Sequence, residues 1–243
     1  MVCGVEQINK VMQQKKKAVF NWSGGKDSAL ALQKILGDDS FEVVALLTTA
    51  NRVTQKSSVH SIPLELIERQ AASIGIPLYT VFFAEDLSDY DQKMREAVAH
   101  FKAQDVTHFV FGDIFLADIK AYREQKLNPM GIEVVEPLWN KTSEEVMAEF
   151  LASGIRSKII VAQEGQLTAD YVGKDLSADL VQTFPEAMDV CGENGEYHTL
   201  AYAGGLFRYE ILFTISKVER SEYEIGLDNG TKKTYAYWQA IIE

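Results

Sequence analysis

Cysteine is almost absent from this chain, which has only Cys3 and Cys191 among its 243 residues. Two cysteines in a chain of this length do not form a disulfide framework, and no Cys-x-x-Cys pair is present to bind zinc or an iron–sulfur cluster. The sequence therefore predicts a protein of a reducing compartment, the cytoplasm.

Basic residues and long apolar runs are also scarce. The chain has 24 Lys and Arg against 35 Asp and Glu, a formal net charge of −11. Broad nonspecific binding to nucleic acid needs a basic surface, so we do not expect nucleic acid as a partner. No apolar stretch approaches the roughly 20 residues that cross a bilayer, and the N-terminus has no apolar signal core, so we expect no membrane association.

Short apolar runs alternate with amphipathic segments over the first 139 residues, which is typical of parallel β-α-β units. Ligands of such sheets bind at the carboxyl ends of the strands. That edge would bring together Thr48, His60, Asp113 and the loop at residues 23–28. Strands are predicted at 18–20, 41–49, 77–83 and 107–112, with helices at 29–36, 61–75 and 89–103, and residues 133–139 close this region.

The second part of the chain has a different pattern. Residues 142–145 form a capping-box sequence that predicts a helix reaching 154. Past residue 200, strands are predicted at 206–218, 222–227 and 232–238, with a hairpin turn at 228–230. We therefore predict an N-terminal domain at 1–139 and a smaller α+β domain, ending in antiparallel strands, at 140–243.

The most informative stretch is Ser-Gly-Gly-Lys-Asp-Ser at residues 23–28, between the first strand and the first helix. Free N–H groups and a positive dipole at a helix N-terminus favour anions, and adjacent glycines let the backbone approach a ligand closely. Lys26 adds a positive charge, while Ser23 and Ser28 add hydroxyl donors. The stretch is suited to a phosphate or a pyrophosphate.

Two common phosphate motifs do not fit this stretch. A Walker A loop would need Gly at Phe20 and Ser or Thr at Asp27, and the dinucleotide pattern Gly-x-Gly-x-x-Gly is absent. The hexapeptide instead resembles the pyrophosphate loop (PP-loop) of the ATP pyrophosphatases, also called N-type ATPases or adenine nucleotide alpha hydrolases. Those enzymes split ATP between its α and β phosphates and leave AMP.

A second unusual stretch, residues 189–199, contains carboxylates, a His, a Thr and two glycines. On composition alone it would be a polar loop. Together with residues 23–28, and with His60, Asp113, Arg123 and the Pro-Leu-Trp at 137–139, it resembles the diphthine–ammonia ligase family. The similarity extends from about residue 18 to about residue 207.

This resemblance implies an N-terminal HUP/Rossmann-like domain that binds ATP and a C-terminal domain that contributes residues 193–199 to the same cleft. It implies ATP-binding roles for Trp22, Ser23, Gly24, Gly25, Lys26, Asp27, Ser28, Thr48 and Asp113. The implied catalytic residues are Lys26, Asp27, Glu193, Glu196 and His198. The implied substrate-binding residues are His60, Arg123, Asn194, Gly195, Tyr197 and Thr199.

The implied reaction joins ammonia to a substrate carboxylate. The carboxylate attacks the α-phosphorus of ATP, pyrophosphate leaves, and ammonia displaces AMP to give an amide. ATP and Mg²⁺ are the expected cofactors, with Asp27 as a metal ligand. The expected partners are ATP, ammonia and an acceptor, either a small molecule or a modified protein residue; a homodimer is left open.

The sequence departs from the family at two positions. Asn194 and His198 stand where eukaryotic and archaeal members usually carry Gly and Glu in Gly-Gly-Glu-Tyr-Glu-Thr. These differences resemble the bacterial branch. Because bacteria lack diphthamide, the ATP chemistry transfers to this chain better than the diphthine substrate does.

Alternatives stay open at the level of the sequence. Glu193 and Glu196 also fit a solvated loop, His60 and His198 a structural role, Asp113 a helix cap and Arg123 an ion pair. A PP-loop enzyme acting on another small molecule or on tRNA is one alternative function. A non-catalytic adenine-nucleotide sensor is another, although such proteins lack the Ser-Gly-Gly-Lys-Asp-Ser loop.

Overall fold

The N-terminal part of the chain is a parallel β-sheet, as predicted. The computed structural model describes residues 14–58, 61–86, 88–226 and 232–243. The strands of this sheet are arranged in the order β3-β2-β1-β4-β5, and all pairs are parallel. Their bounds are β1 (Lys16–Asn21), β2 (Phe41–Asn51), β3 (Leu78–Phe83), β4 (His108–Val110) and β5 (Glu133–Val135).

Helices cover both faces of this sheet, because successive side chains of β1 point to opposite sides. Phe20 packs in one cluster with residues of α1 (Lys26–Leu36), α2 (Leu64–Ile74) and α5 (Ser143–Ala152). Val19 packs in the other cluster, with residues of α3 (Tyr90–Lys102) and α4 (Ala117–Leu127). The connections turn to opposite sides of β1, so a crevice opens between the carboxyl ends of β1 and β4, where ligands of such sheets bind.

A second sheet is built from later parts of the chain. Its strands are β6 (Arg156–Gln163), β7 (Tyr197–Ala203), β8 (Ile215–Gly226) and β9 (Lys232–Ile242). They pair antiparallel in the order β7-β6-β9-β8. A short helix, α6 (Ala178–Val181), lies between β6 and β7. The predicted fold class, a parallel α/β sheet with a C-terminal α+β part, is confirmed.

One hydrophobic core joins the two sheets. Phe20 and Trp22 of the first sheet and its loop belong to the same buried cluster as Leu200 and Tyr202 of β7. The backbone N–H of Ala201 donates to the carbonyl oxygen of Gly24 at 2.8 Å, which ties β7 to the loop after β1. The division of the chain at residue 139 stays a prediction.

The C-terminal strands differ in part from those predicted. Residues 204–214 are irregular where the apolar pattern predicted a strand, and β8 runs unbroken through the predicted gap at 219–221. β7 was missed, because His198 and Thr199 interrupt its apolar pattern although most of the strand is buried. The predicted turn at 228–230 lies outside the described residues.

The observed helix boundaries agree more closely with the predicted ones than the C-terminal strands do. The capping box at α5 is confirmed, because Thr142 Oγ1 accepts from Glu145 N at 3.2 Å and the Glu145 carboxylate accepts from Thr142 N at 2.8 Å. The predicted start of the second helix at residue 61 is wrong, since Pro63 holds the N-cap position of α2 and Ser61 has a φ of +52°. Within the described ranges, no helix combines the length and apolar character needed to cross a bilayer.

Candidate active site

The loop between β1 and α1 is shaped by Gly24. Its φ is +85°, and a Cβ at this position would come within 2.8 Å of Ile67 Cδ1 and 2.9 Å of Gln70 Oε1. Gly25 follows in an extended conformation as the N-cap of α1. Glycine at position 24 therefore meets both a backbone requirement and a space requirement, and it lets the loop pack directly on α2.

Hydroxyl groups organise the same loop. Ser23 N donates to Ser28 Oγ at 3.2 Å, and Gly25 N donates to Ser23 Oγ at 3.4 Å. Lys26 N donates to Thr199 Oγ1 of β7 at 2.9 Å. Because a hydroxyl that accepts can still donate, Ser23, Ser28 and Thr199 each keep a donor for a ligand oxygen.

Gln70 of α2 holds the loop between β1 and α1 by hydrogen bonds, and it was not among the predicted site residues. Its amide accepts from Trp22 Nε1 at 2.9 Å and donates to the carbonyl oxygens of Gly24 at 3.0 Å and Ala201 at 2.6 Å. The side chain is fully buried on the apolar face of α2. A lone amide on an apolar helix face was the signal in the sequence that could have revealed it.

Lys26 lies inside the protein, with only 2% of its surface exposed. Its Nζ donates to both carboxylate oxygens of Asp27, at 2.8 and 2.6 Å, and to the carbonyl oxygen of Cys191, and it lies 5.2 Å from the centre of the Tyr197 ring. Burial is the largest single influence and lowers the pKa of Lys26, but the charge of Asp27, the charges of Tyr197 and Cys191 and the hydrogen bond to Asp27 together exceed it, so the pKa is raised. The lysine therefore keeps its positive charge.

Residues 189–196 form a loop that is held by its own carboxylates. Asp189 accepts from Cys191 N at 3.0 Å and from Glu193 N at 2.9 Å. Glu196 accepts from Asn194 N at 3.1 Å and from Asn194 Nδ2 at 3.2 Å, and it is 7% exposed. Glu196 therefore braces the loop from within.

Two ionisable side chains of this segment have displaced pKa values. Glu193 Oε1 accepts from Ile114 N at 2.9 Å, and burial raises the pKa of Glu193 to about 7, with a further contribution from the carboxylates of Asp27 and Asp113. Burial, and then the charge of Lys26, lower the pKa of His198 to about 4. At neutral pH, His198 is uncharged and Glu193 exchanges its proton readily.

A charged network borders the other side of the crevice. Arg123 Nη1 donates to Asp113 Oδ2 and lies 3.5 Å from Glu136 Oε1, while Lys120 Nζ lies 3.1 Å from Glu136 Oε2. The Arg123 guanidinium also lies 4.1 Å from the centre of the Phe111 ring. Burial raises the pKa of Glu136 despite these two cations. The sequence analysis missed Lys120 and Glu136, and Asp113 does not cap α4, which begins at Ala117.

One cavity of about 710 Å³ connects these groups. It contains most of the predicted site residues: Trp22, Ser23, Lys26, Asp27, Ser28, Thr48, Asp113, Arg123, Glu193, Tyr197, His198 and Thr199. Of the predicted residues that the structure describes, Gly24, Gly25, Asn194, Gly195 and Glu196 shape the two loops without lining the cavity. His60 lies outside the described residues. The roles assigned to all of these side chains stay predictions.

Cys191 is part of the wall but is not a nucleophile. Its Sγ donates to the carbonyl oxygen of Ser143 at 3.1 Å, and burial raises the pKa of its thiol to about 12. A thiol with such a pKa is not ionised at neutral pH, so it packs rather than reacts.

Comparison with known proteins gives one consistent family. Residues 15–134 match the model of the diphthamide synthase N-terminal domain. Among curated relatives, the diphthine–ammonia ligase of Mus musculus is 24% identical over 225 residues, 80% of this chain and 82% of that protein. The diphthine–ammonia ligase of Homo sapiens is 23% identical over 222 residues, 81% of this chain and 82% of that protein.

A third relative aligns over a shorter region. The diphthine–ammonia ligase of Schizosaccharomyces pombe is 31% identical over 101 residues, which are 40% of this chain and 17% of that protein. Membership of a bacterial branch stays a prediction. The chain is therefore similar to diphthine–ammonia ligases over about 80% of its length, and residues 15–134 match the diphthamide synthase N-terminal domain.

Proposed function

We propose that this protein is an ATP-dependent ligase that joins ammonia to a carboxylate and releases AMP and pyrophosphate. One observation carries the proposal: the loop at residues 23–28 and the segment at residues 189–199 meet at Lys26. Lys26 N donates to Thr199 at 2.9 Å, and Lys26 Nζ contacts Asp27 and Cys191. A buried cation at a helix N-terminus, in a cavity with acids on its far wall, suits a polyphosphate and a second reactant.

The first step needs a site that stabilises departing pyrophosphate. An acceptor carboxylate oxygen attacks the α-phosphorus of ATP, the bond to the bridging oxygen breaks, and pyrophosphate leaves. Negative charge develops on the oxygens of the departing pyrophosphate. Lys26 stabilises it, and the hydroxyls of Ser23, Ser28 and Thr199 donate hydrogen bonds to it. Because these groups are already fixed in place, they stabilise that charge without reorganisation.

Mg²⁺ fits this site as a metal shared with the phosphates. The described residues contain no cluster of three or more metal-ligating side chains, so the protein alone offers no cage. Mg²⁺ is commonly held by one or two carboxylates together with substrate phosphates and water, and Asp27 is a carboxylate in the cavity beside Lys26. Bound there, the metal would neutralise phosphate charge.

The second step needs ammonia in its uncharged form. Ammonia attacks the carbonyl carbon of the activated acceptor, AMP leaves, and the nitrogen loses a proton as the amide forms. Glu193 is the acid whose pKa of about 7 suits it to accept that proton. His198 is neutral because of burial and the charge of Lys26, and it lines the part of the cavity assigned to the ammonia nitrogen.

The acceptor side of the cavity is assigned to Arg123, with Tyr197 as a further lining residue. Curated relatives are named for diphthine and ammonia. Identity of 23–24% supports the ligase chemistry more strongly than it supports diphthine as the acceptor. We therefore propose a carboxylate acceptor, of which diphthine is one candidate.

The test is the identity of the products. The purified protein is incubated with ATP, Mg²⁺, ammonium chloride and diphthine-bearing elongation factor 2 or other carboxylates, and the nucleotides are separated by chromatography. AMP and pyrophosphate in equal amounts, dependent on both ammonium and acceptor, are the expected result. ADP and orthophosphate, or ATP binding with no turnover for any acceptor, would contradict the proposal.

A further inference from the structure

The half of the cavity between α3 and α4 differs in chemistry from the half around Lys26. Its walls are mainly aromatic and apolar, with Tyr90, Met94, Ile119, Tyr122 and Met130 where the other half has the short side chains of Ser23, Ser28 and Thr199. Tyr122 is 44% exposed and Ile119 is 37% exposed, although both are large apolar side chains. Exposed apolar side chains that converge on one cavity mark a surface prepared for a ligand.

Charged residues at the rim of this half carry a net positive charge. Asp91 of α3 is paired with Lys126 of α4 at 2.9 Å, so its charge is already balanced. Arg95 lies one turn further along α3 and also lines the cavity; Asp91 lies within range of its charge, but Arg95 forms no salt bridge among the residues that the structure describes. In a chain with a net charge of −11, one cation at the rim remains unmatched.

This cation is separate from the one assigned to the pyrophosphate. Lys26 begins α1, which packs on one face of the first sheet, whereas Arg95 is on α3, which packs on the other face. The cavity passes over the edge of the sheet between them. A ligand that reaches Arg95 from the reaction centre therefore crosses the part of the cavity lined by Tyr90 and Tyr122, which suits an apolar body.

We propose that the acceptor is an acid with an apolar, aromatic-sized body and a second anionic group, which Arg95 binds. The inference rests on the acceptor role of the cavity proposed above. An adenine ring would also fit between two tyrosines, but it carries no negative charge and leaves Arg95 unmatched. The second anion distinguishes the two occupants.

Two matched probes test this proposal. 3-Phenylpropanoate and 3-(4-carboxyphenyl)propanoate differ only in the second carboxylate, and their affinities are measured by calorimetry with the protein saturated with AMP. We expect the diacid to bind about tenfold tighter or better, as a charge-assisted hydrogen bond allows. Arg95→Ala should abolish that preference, whereas Lys93→Ala, on the same helix but outside the cavity lining, should retain it. Tyr122→Ala should weaken both acids equally.

Three results would overturn the proposal. They are equal affinity of the two acids for the unmodified protein, a preference for the diacid that survives in Arg95→Ala, and binding of neither acid while ATP still binds. Loss of ATP affinity in Tyr122→Ala would also overturn it, by assigning this half of the cavity to adenine. Failure of the proposed function itself appears elsewhere, as the absence of AMP and pyrophosphate in the product assay.

Discussion

At the scale of single residues, the site depends on two buried ionisable groups whose pKa values are shifted by their surroundings. Lys26 remains charged inside the protein because Asp27 and other neighbouring groups together offset its desolvation, and Glu193 holds its proton near neutrality because it is buried close to other carboxylates. The residue types were predictable from the motifs. Their ionisation was not, because burial and the approach of Asp27 to Lys26 depend on the folded chain.

Lys26→Ala is expected to reduce AMP formation by about 10²–10³-fold, because a charge-stabilising group that is fixed before the reaction is lost. The measurement is the rate of pyrophosphate release at saturating ATP. Lys34→Ala is the matched control, since Lys34 lies on the same helix and pairs with Glu149 at 2.6 Å outside the cavity. Equal rates in the two variants would contradict the role of Lys26.

The pH dependence of the reaction should follow Glu193. A base with a pKa of about 7 is half ionised at that pH, so at a fixed concentration of uncharged ammonia the rate should rise between roughly pH 6 and 8 and then level off. Glu193→Gln should remove this rise and keep ATP binding. A profile unchanged in Glu193→Gln would show that another group accepts the proton.

The free energy of unfolding should fall as the pH rises through the pKa of Glu193, whereas the reaction rate should rise. Its pKa is raised from 4.5 to about 7 on folding, so its favourable effect is complete below pH 4.5 and is lost as the pH rises through 7. The free energy of unfolding of Glu193→Gln, measured relative to the unmodified protein, should therefore be higher at pH 8 than at pH 4.5, by at most about 3 kcal/mol. Chemical denaturation of both proteins at the two pH values measures the difference.

At the scale of elements, the loop between β1 and α1 is held in place by hydrogen bonds from α2 and β7. The sequence predicted a strand, a glycine turn and a helix here, and the structure has them. The support from Gln70 on α2 and the donation from Ala201 on β7 come from distant parts of the chain. Local pattern predicts an element, but it does not predict which other element an isolated polar side chain will reach.

Gly24→Ala should destabilise the protein by about 1–3 kcal/mol and weaken ATP binding, because a positive φ is combined with a clash against Ile67 and Gln70. Gly165→Ala is the matched control, since Gly165 has a φ of +91° with nothing within 4 Å of an added Cβ. Thermal unfolding and ATP titration of both variants separate backbone strain from crowding. Equal losses in both would mean that crowding at the loop is unimportant.

At the scale of the whole molecule, the two sheets share a core that the sequence did not reveal. The alternating pattern predicted the first sheet, and the antiparallel character of the second sheet was also predicted. β7 was missed, although it is the strand that joins them, because its burial comes from neighbours on both sides and leaves no simple alternation. The family resemblance had implied that residues 193–199 share a cleft with Lys26, but the strand that carries Thr199 to that position was not predicted.

A shared core predicts one unfolding transition for the whole chain. The full protein should show a single cooperative transition by calorimetry. A fragment of residues 1–139 should lack a cooperative transition, because Trp22, Ile67 and their neighbours would lose the apolar surface supplied by β7. A fragment that unfolds cooperatively on its own would demonstrate two independent domains.

The hydrogen bond between Gly24 and Ala201 constrains how such an enzyme can change its substrate during evolution. A strand that anchors the turn proposed to bind ATP cannot be exchanged for an unrelated module without disturbing that turn. We expect new specificities in this lineage to arise from replacements along α3, α4 and the 189–199 segment, within an otherwise preserved chain, rather than from fusion of a foreign C-terminal half.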